Sequence, residues 1–363
     1  MRVLHMIPDI GIANGVMSVI LNYFKAMPDD IKFDVCYFAE KEETRQADIE
    51  KLGGRVFEIP APSPKGLLRR DMSRFFAQHK GEWQALHIHA PHFAVFIAPQ
   101  AKAAGIKKIC CHCHSTWYSL EKSNEIRNKL LALPVKILTD TQFACGEEAG
   151  EFWFKKDFFV LRNAVDCSLY RYDEQKRTQT REQLGICDKF VIGNLGRVYP
   201  PQKNHPFILK VFSEIRKLRK NSVLMLVGAD IDGNLLGIMN KYSIPRESVK
   251  FLGNRKDVPY LLSAMDVFLF PSLKEGLPVS VVEAQASGLP VLMSNRVTDE
   301  VVVTDNVFSM ALDETAENWA QKAIEMGDVF RKDNFLIMKN SGWDIYSCAE
   351  KLAYYYKTGI YEI

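Results

Sequence analysis

Twice along the chain, short β-branched runs alternate with amphipathic helical patterns, and the rhythm breaks and restarts once. Alternation of this kind builds βαβ units, and those build parallel sheets with helices on both faces. In the first series, strands are expected at 2–7, 33–38, 86–89, 108–113, 142–145 and 159–161, with a helix over 16–24. In the second they are expected at 190–195, 223–227, 249–252, 267–270 and 290–293, with a helix over 206–220. The polar stretch 170–180 reads as the linker between them. The chain has 363 residues, enough for two domains with separate cores. The expected fold class is α/β: two doubly wound, Rossmann-like parallel-sheet domains facing across a cleft, over 1–165 and 166–342. A last helix, at about 343–356, packs on one or the other.

Composition excludes several classes. Apolar residues make 47% and charged residues 25%, an ordinary globular balance, and a net charge of +3 does not argue for nucleic acid. The opening apolar run is broken by Pro8 and Asp9, too early for a secretory leader. No stretch approaches the ~18–20 apolar residues of a membrane span. Eight cysteines at irregular spacing suit reduced thiols and a cytoplasmic chain.

In doubly wound sheets, ligands sit beyond the carboxyl ends of the strands. The loop from Pro8 to Gly15 follows the first strand and opens a helix, where backbone N–H groups hold phosphates; a glycine-permitted turn has the same sequence. After 190–195 come Gly196, Arg197 and, past a Pro-Pro bend, Lys203. Two cations beyond a strand end suit a diphosphate. After 267–270 comes Pro271-Ser272-Leu273-Lys274-Glu275-Gly276-Leu277-Pro278-Val279, then a helix carrying Glu283. Pro278 stands where a first helical turn begins. Glu275 and Glu283 offer carboxylates to hydroxyls, and the N–H groups near Gly276, Leu277 and Val279 suit a phosphate or sugar oxygen.

Glu275-x7-Glu283, in the frame FPSLKEGLPVSVVEAQASGLPV, resembles the retaining GT-B glycosyltransferases of the GT4, or glycosyl transferase group 1, type. GRVYPPQKNH, VKFLGNRKDVPYLLSAMDVFLFPS, RNAVD and GIANGVMSVILNYF extend the resemblance over nearly the whole chain. The pattern is similar to enzymes of bacterial exopolysaccharide and capsule assembly. The resemblance implies a nucleotide-diphosphate sugar donor, UDP-linked by family habit, bound to the second domain. It implies a glycan or lipid-linked glycan acceptor on the first domain, and no metal. By position, Glu283 takes the ribose hydroxyls, Glu275 the donor sugar, and Arg197 and Lys203 the diphosphate. Gly15 admits the same phosphates, and Asn254 and Arg255 fall on the base-contacting loop. A histidine near the reacting carbon is His114, with His112 as the alternate frame. The family's Lys-Gly is Lys203-Asn204 here, and its hinge Asn-Gly is Asn163-Ala164. A nucleotide-sugar epimerase, or a two-domain protein that binds such sugars without reacting, remains as an alternative reading.

Four features admit two readings. Cys110-Cys111-His112-Cys113-His114 mimics a metal tract, but successive strand residues point to opposite faces and no second Cys/His pair at zinc spacing accompanies it. His89 or His92 is placed on the acceptor side, against a packed structural role. Asp230-Ile231-Asp232 mimics a metal motif but follows a glycine, where a turn needs such residues anyway. Finally, residues 1–165 carry 22 basic and 19 acidic groups, and the remainder 25 of each. Basic runs at 65–80, interleaved with Leu67, Leu68, Met72 and Phe75, and at 102–136 suit an anionic bilayer, at about 1 kcal/mol per basic residue. Solvated helix faces would look the same.

Overall fold

Strands covered on both faces need no polar alternation, and the apolar runs of this chain form parallel sheets of that kind. The computed structural model describes residues 1–12, 14–39, 43–65, 70–119, 121–198 and 201–361. The chain divides into two units: Met1–Ala164 with the segment from Ile345 onward, and Val165–Asp344.

The first unit holds strands Arg2–Ile7 (β1), Lys32–Tyr37 (β2), Val56–Glu58 (β3), Ala85–Ile88 (β4), Lys108–Cys113 (β5), Thr141–Ala144 (β6) and Phe159–Val160 (β7). They pair in parallel in the order β3-β2-β1-β4-β5-β6-β7. The helix Ile345–Thr358 belongs to this unit, where the Tyr356 hydroxyl lies 2.6 Å from His87 Nδ1 of β4.

The second unit holds Phe190–Leu195 (β8), Ser222–Val227 (β9), Val249–Phe251 (β10), Val267–Phe270 (β11), Val291–Ser294 (β12) and Val307–Met310 (β13), in the order β10-β9-β8-β11-β12-β13. The order reverses between β1 and β4 in one unit and between β8 and β11 in the other. Loops leaving those strands diverge to opposite faces and leave room for a ligand.

Two edge strands escape the sequence reading. β3 is three residues long and β13 is half exposed, so neither shows a buried run. The expected linker at 170–180 is corrected. Asp173 accepts hydrogen bonds from the backbone N–H groups of Gln175 and Lys176, and a helix runs from Glu174 to Leu184, closed by Gly185 in the left-handed region. Its polarity misleads because two of its arginines are packing residues: Arg177 and Arg181 both reach Asp266, at 2.5 and 2.7 Å. The change of unit lies earlier, at Ala164 and Val165.

Candidate functional site

The second unit draws its two charged loops together at the strand-order reversal. After β8, the chain turns at Gly196, whose N–H donates to the Val227 carbonyl. A Cβ on Gly196 would stand 2.6 Å from Lys203 Cγ, so the lysine stem lies across bare backbone there. Tyr199 and Pro200 of the Pro-Pro bend lie outside the described residues. A 3₁₀ turn, Pro201–Lys203, carries the lysine to the start of the helix His205–Leu218. Between them Asn204 adopts φ 58°, ψ 45°, the left-handed region that the family's glycine would take without strain. Its side-chain amide donates to the Pro271 carbonyl, and the Leu273 N–H donates to the Gln202 carbonyl. The loop after β8 is thereby tied to the loop after β11.

Glu275 sits in that second loop, its Oε1 2.9 Å from Lys203 Nζ. Both side chains are largely enclosed, and Lys203 Nζ also stands 4.4 Å from the centroid of the Phe270 ring. Sequence reading gives the two residues separate tasks on one ligand; the structure puts them in direct contact. Arg197 is exposed, on the same loop as Gly196. Pro278 is the residue before the first turn of the helix Val279–Ala286, one position earlier than expected. Leu277 and Pro278 are buried, whereas Gly276 and Val279 are partly open.

Glu283 lies on the second turn of this helix. Its Oε1 accepts a 2.6 Å hydrogen bond from the Tyr170 hydroxyl, and burial raises its carboxyl above the usual range. Tyr170 ends the short helix Cys167–Tyr170, capped by Asp166, and is a site residue the sequence reading misses. Nothing in the sequence links positions 170 and 283. Beyond β10, Asn254 and Arg255 are exposed, and the Arg255 guanidinium forms a two-point contact with Asp257 at 2.8 and 2.6 Å. Asp232 caps the helix Gly233–Lys241 through the Leu235 N–H, which gives this Asp-x-Asp a turn role.

In the first unit, Gly15 opens the helix Gly15–Ala26 behind Asn14, whose side chain accepts from the Val16 and Met17 N–H groups. Gly15 is exposed, and a Cβ there would meet nothing within 4 Å. His89 lies just past β4, with Nε2 2.9 Å from His5 Nδ1 and Nδ1 2.9 Å from His114 Nε2. His112 is fully buried; His114 is partly open. Burial lowers all these rings below the ordinary histidine range, His114 to about 4, so they are neutral at pH 7. His92, in the 3₁₀ turn Pro91–Phe93, is likewise lowered to about 4, first by burial and then by Arg127.

The basic run at 65–80 is corrected as a bilayer face. Residues 66–69 lie outside the described residues, and Met72 and Phe75 are buried, on the inner side of the helix Asp71–Gln78. The run ending at 136 is different. Ile126, Leu130, Leu133 and Ile137 are all more than half exposed, at spacings of four, three and four residues. Lys122, Arg127 and Lys129 share their helix, Lys122–Ala132. Among the described residues, no helix is long and apolar enough to cross a membrane.

Residues 189–328 match the family model described as glycosyl transferases group 1. The putative glycosyltransferase EpsF of Bacillus subtilis is 31% identical over 337 residues, 88% of this chain and 86% of that protein. The Escherichia coli UDP-Gal:alpha-D-GlcNAc-diphosphoundecaprenol alpha-1,3-galactosyltransferase is 27% identical over 302 residues, 78% and 76% of the two chains. The crystal structure of Anabaena Alr3699/HepE in complex with UDP superposes with a TM-score of 0.80 at 19% identity, covering 99% of this chain and 100% of that one.

Proposed function

The chain belongs to the group 1 glycosyl transferases, and from that premise we propose that it moves a sugar from a UDP-sugar to a hydroxyl of a lipid-linked glycan in surface polysaccharide assembly. It is a glycosyltransferase of GT-B architecture. The observation that carries the finer reading is the contact of Lys203 with Glu275 beside the start of the helix Val279–Ala286. A cation, a carboxylate and the backbone N–H groups of a helix start meet there, which is what a diphosphate joined to a polyhydroxyl ring requires.

The unit Val165–Asp344 takes the donor. Glu283, oriented by Tyr170, accepts from the ribose hydroxyls, and Glu275 accepts from the sugar. Lys203, Arg197 and the helix start stabilise the charge that grows on the departing diphosphate. The anomeric carbon gains oxocarbenium character, and the acceptor hydroxyl attacks from the face the diphosphate leaves, so configuration is retained. The departing phosphate takes the hydroxyl proton. The two glutamates are ligands here, unlike the paired acid and nucleophile of retaining hydrolases. No metal is needed for this charge balance. Support for UDP and for a diphosphoundecaprenol-linked acceptor comes from what the compared proteins are named for.

A panel of nucleotide sugars tests the reading by thermal shift and by release of nucleoside diphosphate. A UDP-sugar at 100 times its Kd stabilises by about 2.7 kcal/mol. Diphosphate release should require acceptor, and the product linkage should keep the α or β configuration of the donor. Release without acceptor at the full rate, or an inverted linkage, contradicts it.

The first unit takes the acceptor, and we place its lipid at an anionic membrane surface through the exposed stripe Ile126, Leu130, Leu133 and Ile137 with its flanking lysines and arginine. Ile126→Glu with Ile137→Glu should abolish flotation with phosphatidylglycerol vesicles. Unchanged flotation would exclude this face.

A further inference from the structure

The histidines of the first unit are gathered more closely than sugar transfer asks. Alternation puts His87 and His89 on one face at β4, and His112 and His114 on one face at the end of β5. Strand pairing sets His5 opposite His87, with β5 on the other side of β4. Five imidazoles therefore share one face of the sheet.

Two triplets have ring nitrogens within 4.8 Å of one another: His5, His87 and His89, and His89, His112 and His114. The first is a closed stack. The His87 and His89 rings are 4.4 Å apart and 10° from parallel, His5 and His89 17° from parallel, and all three are buried. Imidazole lone pairs lie in the ring plane, so parallel rings do not aim them at one point. In the second triplet the His112 ring is tilted 37° to His114 and 41° to His89, and His114 opens to solvent.

The outer sides of these rings are polar as well. His89 Nε2 contacts His5 Nδ1, the Leu161 backbone interacts with His112, and His114 Nδ1 faces the Asn163 side chain without a hydrogen-bond partner. Outer contacts of this type fix the tautomer and direction of metal-ligating histidines. On the inner side, His89 Nδ1 and His114 Nε2 face each other at 2.9 Å, and His112 Nε2, enclosed, has no hydrogen-bond partner.

We propose that His89 Nδ1, His112 Nε2 and His114 Nε2 bind one divalent cation of the zinc class, with water as a fourth ligand on the open side of His114. Three neutral imidazoles favour Zn, Co, Ni or Cu over Mg or Ca. With His114 as the donor of that contact, binding shifts its one ring proton from Nε2 to Nδ1, on the Asn163 side, while His89 keeps its proton on Nε2 toward His5, so all three ligands stay neutral. The neighbouring thiols take no part: Cys111 and Cys113 lie on the other face of β5, and Cys110 lies deeper, directed at the Leu86 carbonyl. The ion takes His114, which the resemblance sets near the reacting carbon, but no residue assigned to the donor diphosphate, so metal uptake is read apart from donor binding and turnover.

Chelator-treated full-length protein titrated with Co²⁺ tests it. One equivalent should bind with the visible absorption of a four- or five-coordinate ion, and one equivalent of Zn²⁺ should displace it. His112→Asn and His114→Asn should each weaken binding by more than about 100-fold. Cys187→Ser, which removes the exposed thiol, should leave it unchanged. Absence of saturable one-equivalent uptake by the wild-type protein overturns the site, and that measurement suffices even where a variant does not fold. Uptake that survives both histidine changes, or that vanishes with Cys187→Ser, overturns it equally.

Discussion

Lys203→Ala is expected to lower kcat for sugar transfer by about 10²- to 10³-fold, the loss that follows removal of one preorganised charge stabiliser. The ammonium is held in place before any substrate arrives. Its stem crosses Gly196, its head lies on the Phe270 ring, and Glu275 fixes it at 2.9 Å. A cation so held needs no reorganisation as the diphosphate gains charge, which is where its advantage over a solvated lysine lies. Truncation leaves Glu275 without its cation, at a cost of about 1–2 kcal/mol, too little to unfold a domain. The variant should therefore stay folded, with a Tm a few degrees lower, and fail in turnover. Glu275→Gln is the control: it removes the ion pair but keeps the ammonium, and should cost less in kcat than Lys203→Ala. Purified Lys203→Ala with unaltered turnover would remove the lysine from the mechanism.

The parts of this site that were legible in the sequence are those fixed by local chain geometry. A β-branched run followed by glycine and a helix start places Gly196, Lys203 and Glu275 beyond strand ends without any knowledge of strand order. That Lys203 and Glu275 touch is not local: β8 and β11 must be neighbours, and linear spacing does not contain that fact. The histidines divide the same way. Period-two alternation puts His87 with His89 and His112 with His114, but their union with His5 needs the order β1-β4-β5. At the end of β5 alone, only His112 and His114 share a face, too few to hold an ion. Tyr170 carries no sequence signal because its partner, Glu283, is 113 positions away. Met72 and Phe75 interleave with basic residues as a bilayer face would, yet they point inward, because a helix with basic residues on one side needs apolar residues on the other.

Asp266→Ala should destabilise the second unit by about 3–5 kcal/mol, the cost of leaving a buried cation and its partly buried neighbours without their counter-ion. Asp266 stands just before β11 and accepts from Arg177, Arg181 and the Val191 N–H at 2.5, 2.7 and 2.7 Å. A third guanidinium, Arg331, lies close by and is partly buried; burial pulls it down to about 9. All three arginines also donate to carbonyls at the end of the helix Val258–Ala264. Arg177 reaches Ser263 and Met265, Arg181 reaches Ala264, and Arg331 reaches Leu262 and Met265. Cations suit a helix carboxyl end, but its partial negative charge is small, worth about 0.3–1 kcal/mol per cation. One carboxylate therefore carries most of the compensation for three positive charges, of which Arg181 is buried and Arg177 and Arg331 partly buried. Without it, the guanidinium groups must draw in water or separate, and either opens the contact between the helices Glu174–Leu184 and Val258–Ala264. Asp266→Asn should be milder than Asp266→Ala, because the amide oxygen still accepts from one arginine. An unfolding free energy from urea titration of Asp266→Ala within about 0.5 kcal/mol of the parent would mean that the carbonyls alone hold the arginines. The polar 174–184 segment would then behave as the surface stretch its composition suggests.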